Sequence, residues 1–203
     1  MTTVLTGKIG PQAGSDNQTT TVALDREARL TFGGKYADAS RRGNLFMAAS
    51  TAAVTTTVAL ATTYTGLAIS NPAGSGKVLS IRGFRFALSV APVAIASLHL
   101  IGGYSAAGVV THTTPLASPG IQNCLIGAVE TSVANADAAA TVVSPAYLIP
   151  YLAGFTAGAL PGNDGGWMDL DGMFTLRPGA WIAVGSLTVV IGFAGFVWEE
   201  LAE

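Results

Sequence analysis

Three long stretches of the chain carry no charged side chain: residues 44–76, 86–129 and 138–163. A surface helix needs a polar face that recurs with a period near 3.6 residues, normally supplied by charge. None of these stretches has the charge to build a long one. The first is crowded with threonine (Thr51, Thr55, Thr56, Thr57, Thr62, Thr63, Thr65), which is stiff at Cβ and favours strands. The second is cut by Pro92, Gly102, Gly103, Pro115, Pro119 and Gly120, and the third by Pro145, Pro150 and Pro161. Proline and glycine at this density break helices and mark turns. What remains is a succession of short strands.

The same punctuation argues against a membrane-spanning helix. A span needs about 20 consecutive, predominantly apolar residues. The most apolar run, 187–198, is shorter and holds Gly192 and Gly195. The opening residues Met1 to Lys8 lack the basic start and apolar run of a signal peptide. No membrane partner is expected.

Charged residues make up 11% of the chain, against about 25% in an average soluble domain. Half of the residues are apolar, yet aromatics are only 8%. The surface must therefore be largely uncharged, which suits a chain whose surface is covered by another subunit. The net charge of −2 offers no basic face for nucleic acid. Cys124 is the single cysteine, so no intrachain disulfide or thiolate metal cluster can form, and it reads as a small buried hydrophobe.

Charge is concentrated near the start. Lys8, Asp16, Asp25, Arg26, Glu27, Arg29, Lys35, Asp38, Arg41 and Arg42 all precede residue 43. Residues 1–45 read as an extended N-terminal arm or docking segment, with a turn-rich stretch at 10–17 and a short strand over 22–32. Residues 46–203 read as the folded domain. Arg26, Arg29, Arg41 and Arg42 are candidate anchors on a neighbouring chain, because guanidinium forks suit interface carboxylates.

Within the domain, 55–64 favours β-structure, while the alanines of 45–53 also permit a short helix. Residues 66–70 predict a strand, 71–76 a turn, and 78–90 an alternating strand. Val78, Ser80, Arg82, Phe84, Phe86 and Leu88 would share one face of it, and Leu79, Ile81, Gly83, Arg85, Ala87 and Ser89 the other. Residues 94–101 predict its partner. Residues 103–166 read as long loops with a few short strands. Strands return at 167–170, 173–176, 181–184 and 188–198, with Asp171-Gly172 predicting a hairpin turn between the first two. Many short strands without a long amphipathic helix predict an all-β, jelly-roll-like β-sandwich.

No complete reaction centre can be assembled from the residue patterns. Gly74-Ser75-Gly76-Lys77 ends like a phosphate loop, but Asn71 stands where the first glycine belongs and Val78 where a hydroxyl belongs. A strand follows it where a helix is needed. Lys77 then merely solvates a turn. His99 reads as a hydrogen-bonded strand residue, and His112 as a polar residue at a loop or strand edge. No pair of histidines has metal-ligand spacing. Asp164, Asp169 and Asp171 beside Trp167 form the one local carboxylate cluster; it fits neither a calcium loop nor more than turn aspartates around a short strand. We therefore expect no catalytic residues, no metal and no cofactor.

Three phrases carry a family resemblance. Residues 64–79, YTGLAISNPAGSGKVL, resemble a strand-turn-strand unit of tailed-bacteriophage virion structural proteins. The ending LRPGAWIAV (176–184) and GFAGFVWEE (192–200) is similar to the C-terminal region of that family, and GKYADA (34–39) with RGNLF (42–46) to its N-terminal region. The middle third, about 100–165, departs from it. The resemblance implies a non-enzymatic capsid cement or decoration protein that binds the major capsid protein and stabilises the phage head. It implies a place on the virion surface after assembly in the host cytoplasm. The uncharged body between residues 44 and 163 itself predicts a symmetric homo-oligomer; by analogy the resemblance favours a trimer, with a dimer as the alternative. Phe193, Phe196 and Trp198 would supply core or interface area. A fibre, spike or tail component for host attachment is the alternative, and a carbohydrate-binding or hydrolytic sandwich centred on Trp167 is a third reading.

Overall fold

The computed structural model describes residues 6–8, 19–21, 36–56, 60–107, 110–158 and 166–203. The chain divides into two compact units, Met1–Asp38 and Ala39–Glu203. In the first, β1 (Thr6–Lys8) pairs antiparallel with β2 (Thr19–Thr21). The expected strand over 22–32 lies outside the described residues.

A five-residue helix, α1 (Ala37–Arg41), spans the division. Its C-terminus lies in the second unit and is closed by two backbone bonds, Gly43 N–H to Ser40 O (2.9 Å) and Asn44 N–H to Ala39 O (3.0 Å). That is a Schellman cap, and Gly43 takes the left-handed conformation it demands, with φ at 71°. The chain then enters β3 (Leu45–Ala49), where the alanines had also permitted a helix. Capping at Gly43 ends the helix, and pairing with the last strand holds 45–49 extended.

The remaining strands are β4 (Val54–Thr55), β5 (Thr63–Ser70), β6 (Lys77–Leu88), β7 (Ala96–Tyr104), β8 (Thr111–Pro115), β9 (Ile121–Asn123), β10 (Asn135–Thr141), β11 (Ala146–Phe155), β12 (Trp167–Leu176), β13 (Ala180–Ser186) and β14 (Ile191–Ala202). With β3 they form two six-stranded sheets: one runs β11-β7-β13-β5-β10-β8, the other β12-β6-β14-β3-β9 with β4 beside β14. All pairings are antiparallel. The two sheets form an all-β sandwich. Stripped of the β8–β10 insertion and β4, they read β5-β13-β7-β11 and β3-β14-β6-β12, the strand order of a jelly roll.

The core lies between the sheets. Phe46, Leu79, Ile81, Phe84, Phe86, Phe196 and Trp198 from one meet Leu67, Ile69, Leu98, Leu100, Phe155, Ile182 and Val184 from the other. Phe84 and Phe196 pair across strands with ring centroids 5.1 Å apart. A smaller cluster of Tyr64, Ala68, Ile101, Ala140, Val142, Trp181 and Ala183 lies apart from it. There the Tyr64 hydroxyl donates to Val184 O (2.5 Å) and Trp181 Nε1 donates to Val143 O (2.9 Å). Burial drives the Tyr64 phenol far above its ordinary pKa, so it stays a hydrogen-bond donor. With apolar partners on both sides, β13 is buried along its whole length, which explains its uninterrupted apolar sequence.

Three expectations are corrected. First, β6 does not alternate in one phase. Leu79 and Ile81 enter the core, and so do Phe84 and Phe86. The pairing with β14 steps from Ile81↔Trp198 directly to Gly83↔Val197, leaving Arg82 as the extra residue of a bulge. A bulge moves all later side chains to the opposite face. Second, Asp171-Gly172 is not a hairpin turn. Both residues have positive φ (47° and 77°), but the strand on either side pairs with the same β6, and residues 170–173 bulge out between. Third, residues 103–166 hold more strand than expected. β11 runs for ten residues through Pro150, which is tolerated because β11 is a sheet edge.

The β5–β6 turn is organised by Asn71, which is buried. Its Nδ2 donates to Lys77 O (2.7 Å) and Leu176 O (2.9 Å). Its N–H donates to Ala180 O (2.9 Å), and its carbonyl accepts from Gly179 N–H (2.8 Å). One side chain thus ties the β5–β6 turn to the β12–β13 turn. Among the described residues, no helix is long and apolar enough to cross a membrane.

Candidate interaction surface

The outer face of the β12-β6-β14-β3 sheet holds a groove of about 520 Å³, lined by Met47, Ala49, Arg85, Trp167, Phe193 and Val197 among others. Strand alternation puts them there. On β14, Phe193, Gly195 and Val197 point outward while Ala194, Phe196 and Trp198 point to the core. Of the three aromatics expected at an interface, only Phe193 is on the surface. Phe196 and Trp198 supply core, because they are odd steps away from Phe193.

Trp167, 42% exposed, leans across β6. A Cβ at Gly83 would collide with its ring, so the glycine lets an aromatic ring lie against the sheet. Arg85, opposite Trp167 in the β12–β6 register, is the only charged residue lining the groove among the described residues. Met47 and Phe193 are also exposed. The face can bury apolar area and place one guanidinium, but it offers few of the polar groups that a sugar would need. Asp169 and Asp171 are not part of its lining. Asp169 Oδ1 accepts from Asp171 N–H (3.1 Å) and so shapes the bulge. Asp164 lies outside the described residues.

The chain matches no protein-family model, no curated protein and no solved structure.

The other candidates resolve as follows. Arg41 and Arg42 are exposed at the end of α1, whereas Arg26 and Arg29 lie outside the described residues. Lys77, expected only to solvate its turn, pairs with buried Glu200 at 2.9 Å. His99 is buried; its Nδ1 donates to Pro150 O, and Tyr147 meets it edge-on at 5.3 Å between ring centroids. Cys124 is half-buried, and burial pushes its thiol above the ordinary value. Among the described residues, no three His, Cys, Asp or Glu side chains converge to hold a metal ion.

His112, exposed on edge strand β8, bonds through Nδ1 to Asp137 Oδ2 (2.7 Å), and Asn135 Nδ2 lies 3.1 Å from its Nε2. Asp137 is buried, and desolvation pushes its carboxyl above the ordinary 3.8 although His112 pulls it down. The folded state therefore holds this proton to higher pH than the unfolded chain does. Stability attributable to Asp137 falls as pH rises from 3.8 through the raised value. Asp137→Asn keeps an acceptor for His112 and carries no titrating proton. Its urea midpoint is expected to gain on the parent's as pH rises from 3.8 through the raised value; a constant difference across that rise would contradict the assignment.

Proposed function

We propose that this chain is a non-enzymatic virion structural protein, a cement or decoration protein that binds the major capsid protein and stabilises the head of a tailed phage. It acts as a homo-oligomer, with a trimer favoured, on the capsid surface, after assembly in the host cytoplasm. The observation that carries this reading is the apolar groove on the outer sheet face, with Met47, Trp167 and Phe193 exposed beside Arg85. Such a face is suited to being covered by protein. The jelly-roll order is compatible with it but does not assign a role by itself; the family resemblance of the three sequence phrases supplies the particle.

Particles labelled against this chain and viewed by electron microscopy are expected to carry label over the head. Chain lacking residues 1–42 is expected to be lost from those heads while its β-sheet circular dichroism persists. Label confined to the tail or its tip would replace this reading with an attachment role. Full incorporation of the truncated chain would remove the arm from the docking surface.

A further inference from the structure

We propose that the open edge of β9, with the 124–132 loop beside it, takes up an extended segment of another protein that carries apolar side chains and a lysine or arginine. The site goes beyond the capsid role and does not depend on it.

β9 ends the sheet β12-β6-β14-β3-β9. Cys124 N–H donates to Leu45 O (2.8 Å), so residue 124 faces β3. Backbone groups alternate in direction along an antiparallel pair, so Gln122, opposite Met47, faces β3 as well. The N–H and C=O groups of Ile121 and Asn123 therefore point away from β3. Among the described residues no backbone group bonds to them. Beside this edge lies a groove of about 500 Å³, lined by Ile121, Leu125, Ile126, Val129 and Glu130 among others. Every residue of its lining is described.

The loop is tied down at both ends. Asn123 Nδ2 donates to Gly43 O (2.7 Å), and its Oδ1 accepts from Leu125 N–H (2.8 Å). Ala128 N–H donates to Leu125 O (2.9 Å) across the turn. At the far end, Ser132 Oγ and Val133 N–H both donate to the buried Glu200 carboxylate. A loop held in this way presents Ile126, 97% exposed, and Val129, 89% exposed, in a fixed position. A contact made there gives up little further freedom.

Three features choose the occupant. Open edge amides and carbonyls are met by an added strand. Ile126 and Val129 call for apolar side chains on that strand. Glu130 is the only charged residue lining the groove among the described residues. No ion pair joins it to another described residue, and a lysine or arginine complements it. A bilayer would leave the β9 edge groups unsatisfied. A second copy pairing edge to edge would bring its own Glu130 into the contact, like charge against like.

The test selects short random peptides, displayed on yeast, against the intact chain. Recovered peptides are expected to alternate apolar residues and to carry lysine or arginine. Their affinity is expected to fall about tenfold or more for the double variant Ile126→Asp with Val129→Asp, and to fall for Glu130→Gln. Bound peptide is expected to slow amide exchange at Ile121 and Asn123, and to change it little at Gln122, which already faces β3. Circular dichroism checks the fold of each variant, and Ile126→Ser with Val129→Ser serves if the aspartates disturb it. No enriched peptide, an acidic consensus, a folded loop variant that binds equally, or slowed exchange only at another sheet edge would each overturn the proposal. So would an intact chain whose light-scattering mass is a multiple of 20.5 kDa and returns to the single-chain mass in the loop variant, which would give the edge to a second copy.

Discussion

Trp198→Ala is expected to cost about 3–5 kcal/mol of folding stability, in the range for emptying a buried aromatic site. Trp198 is fully buried, and its ring stacks near Phe46 with centroids 6.4 Å apart. It belongs to the core shared by both sheets, so the neighbours around it are fixed from two sides and cannot collapse into the space. Phe193→Ala, on the outward face of the same strand, is expected to cost under about 1 kcal/mol. Trp198→Phe separates ring volume from the indole N–H. The Nε1 has no hydrogen-bond partner among the described residues, so losing it leaves nothing there unsatisfied, and the variant is expected to retain most of the stability. Urea or guanidinium unfolding of the three variants checks the order; a Phe193→Ala loss equal to that of Trp198→Ala would contradict the assignment of faces on β14.

Glu200→Ala is the second large effect. Its side chain is fully buried and joins three segments. Oε2 meets Lys77 Nζ at 2.9 Å, and Oε1 accepts from Ser132 Oγ (2.5 Å) and Val133 N–H (2.9 Å). Removing the carboxylate strands those two donors, at about 1–3 kcal/mol each where water cannot reach them. Lys77 is 37% exposed and returns to solvent, so Lys77→Ala is expected to cost under about 1 kcal/mol. Glu200→Gln keeps an oxygen for Ser132 and Val133 and should lose far less than the alanine variant. Equal losses for Glu200→Ala and Lys77→Ala would show that the ion pair, and not the two donors, is what matters.

The all-β character was legible because it follows from what charge-free, proline-cut stretches cannot do. The late strands were legible too: β13 reads as an unbroken apolar run. Other features depend on pairing, which no local pattern reveals. Asp171-Gly172 is a sound turn signal, and both residues do take positive φ. Whether the flanking strands pair with each other or with a third is decided by β6. Alternation alone could have separated Phe193 from Phe196 and Trp198, and placed Glu200 in phase with the core. The groove needed Gly83 and Trp167 brought together from distant strands.

The bulge at Arg82 makes β6 a strand that counts its residues. Its two halves are written in different phases, and one residue reconciles them. Loss of that residue would leave a sequence of nearly unchanged composition and hydropathy, yet would set Phe84 and Phe86 against solvent or slide Leu79 and Ile81 out of register with Trp198 and Glu200. Substitutions along β6 can therefore vary with local space, whereas its length between residues 81 and 84 cannot drift. Chains that share this fold through that strand should differ there in side chains long before they differ in number.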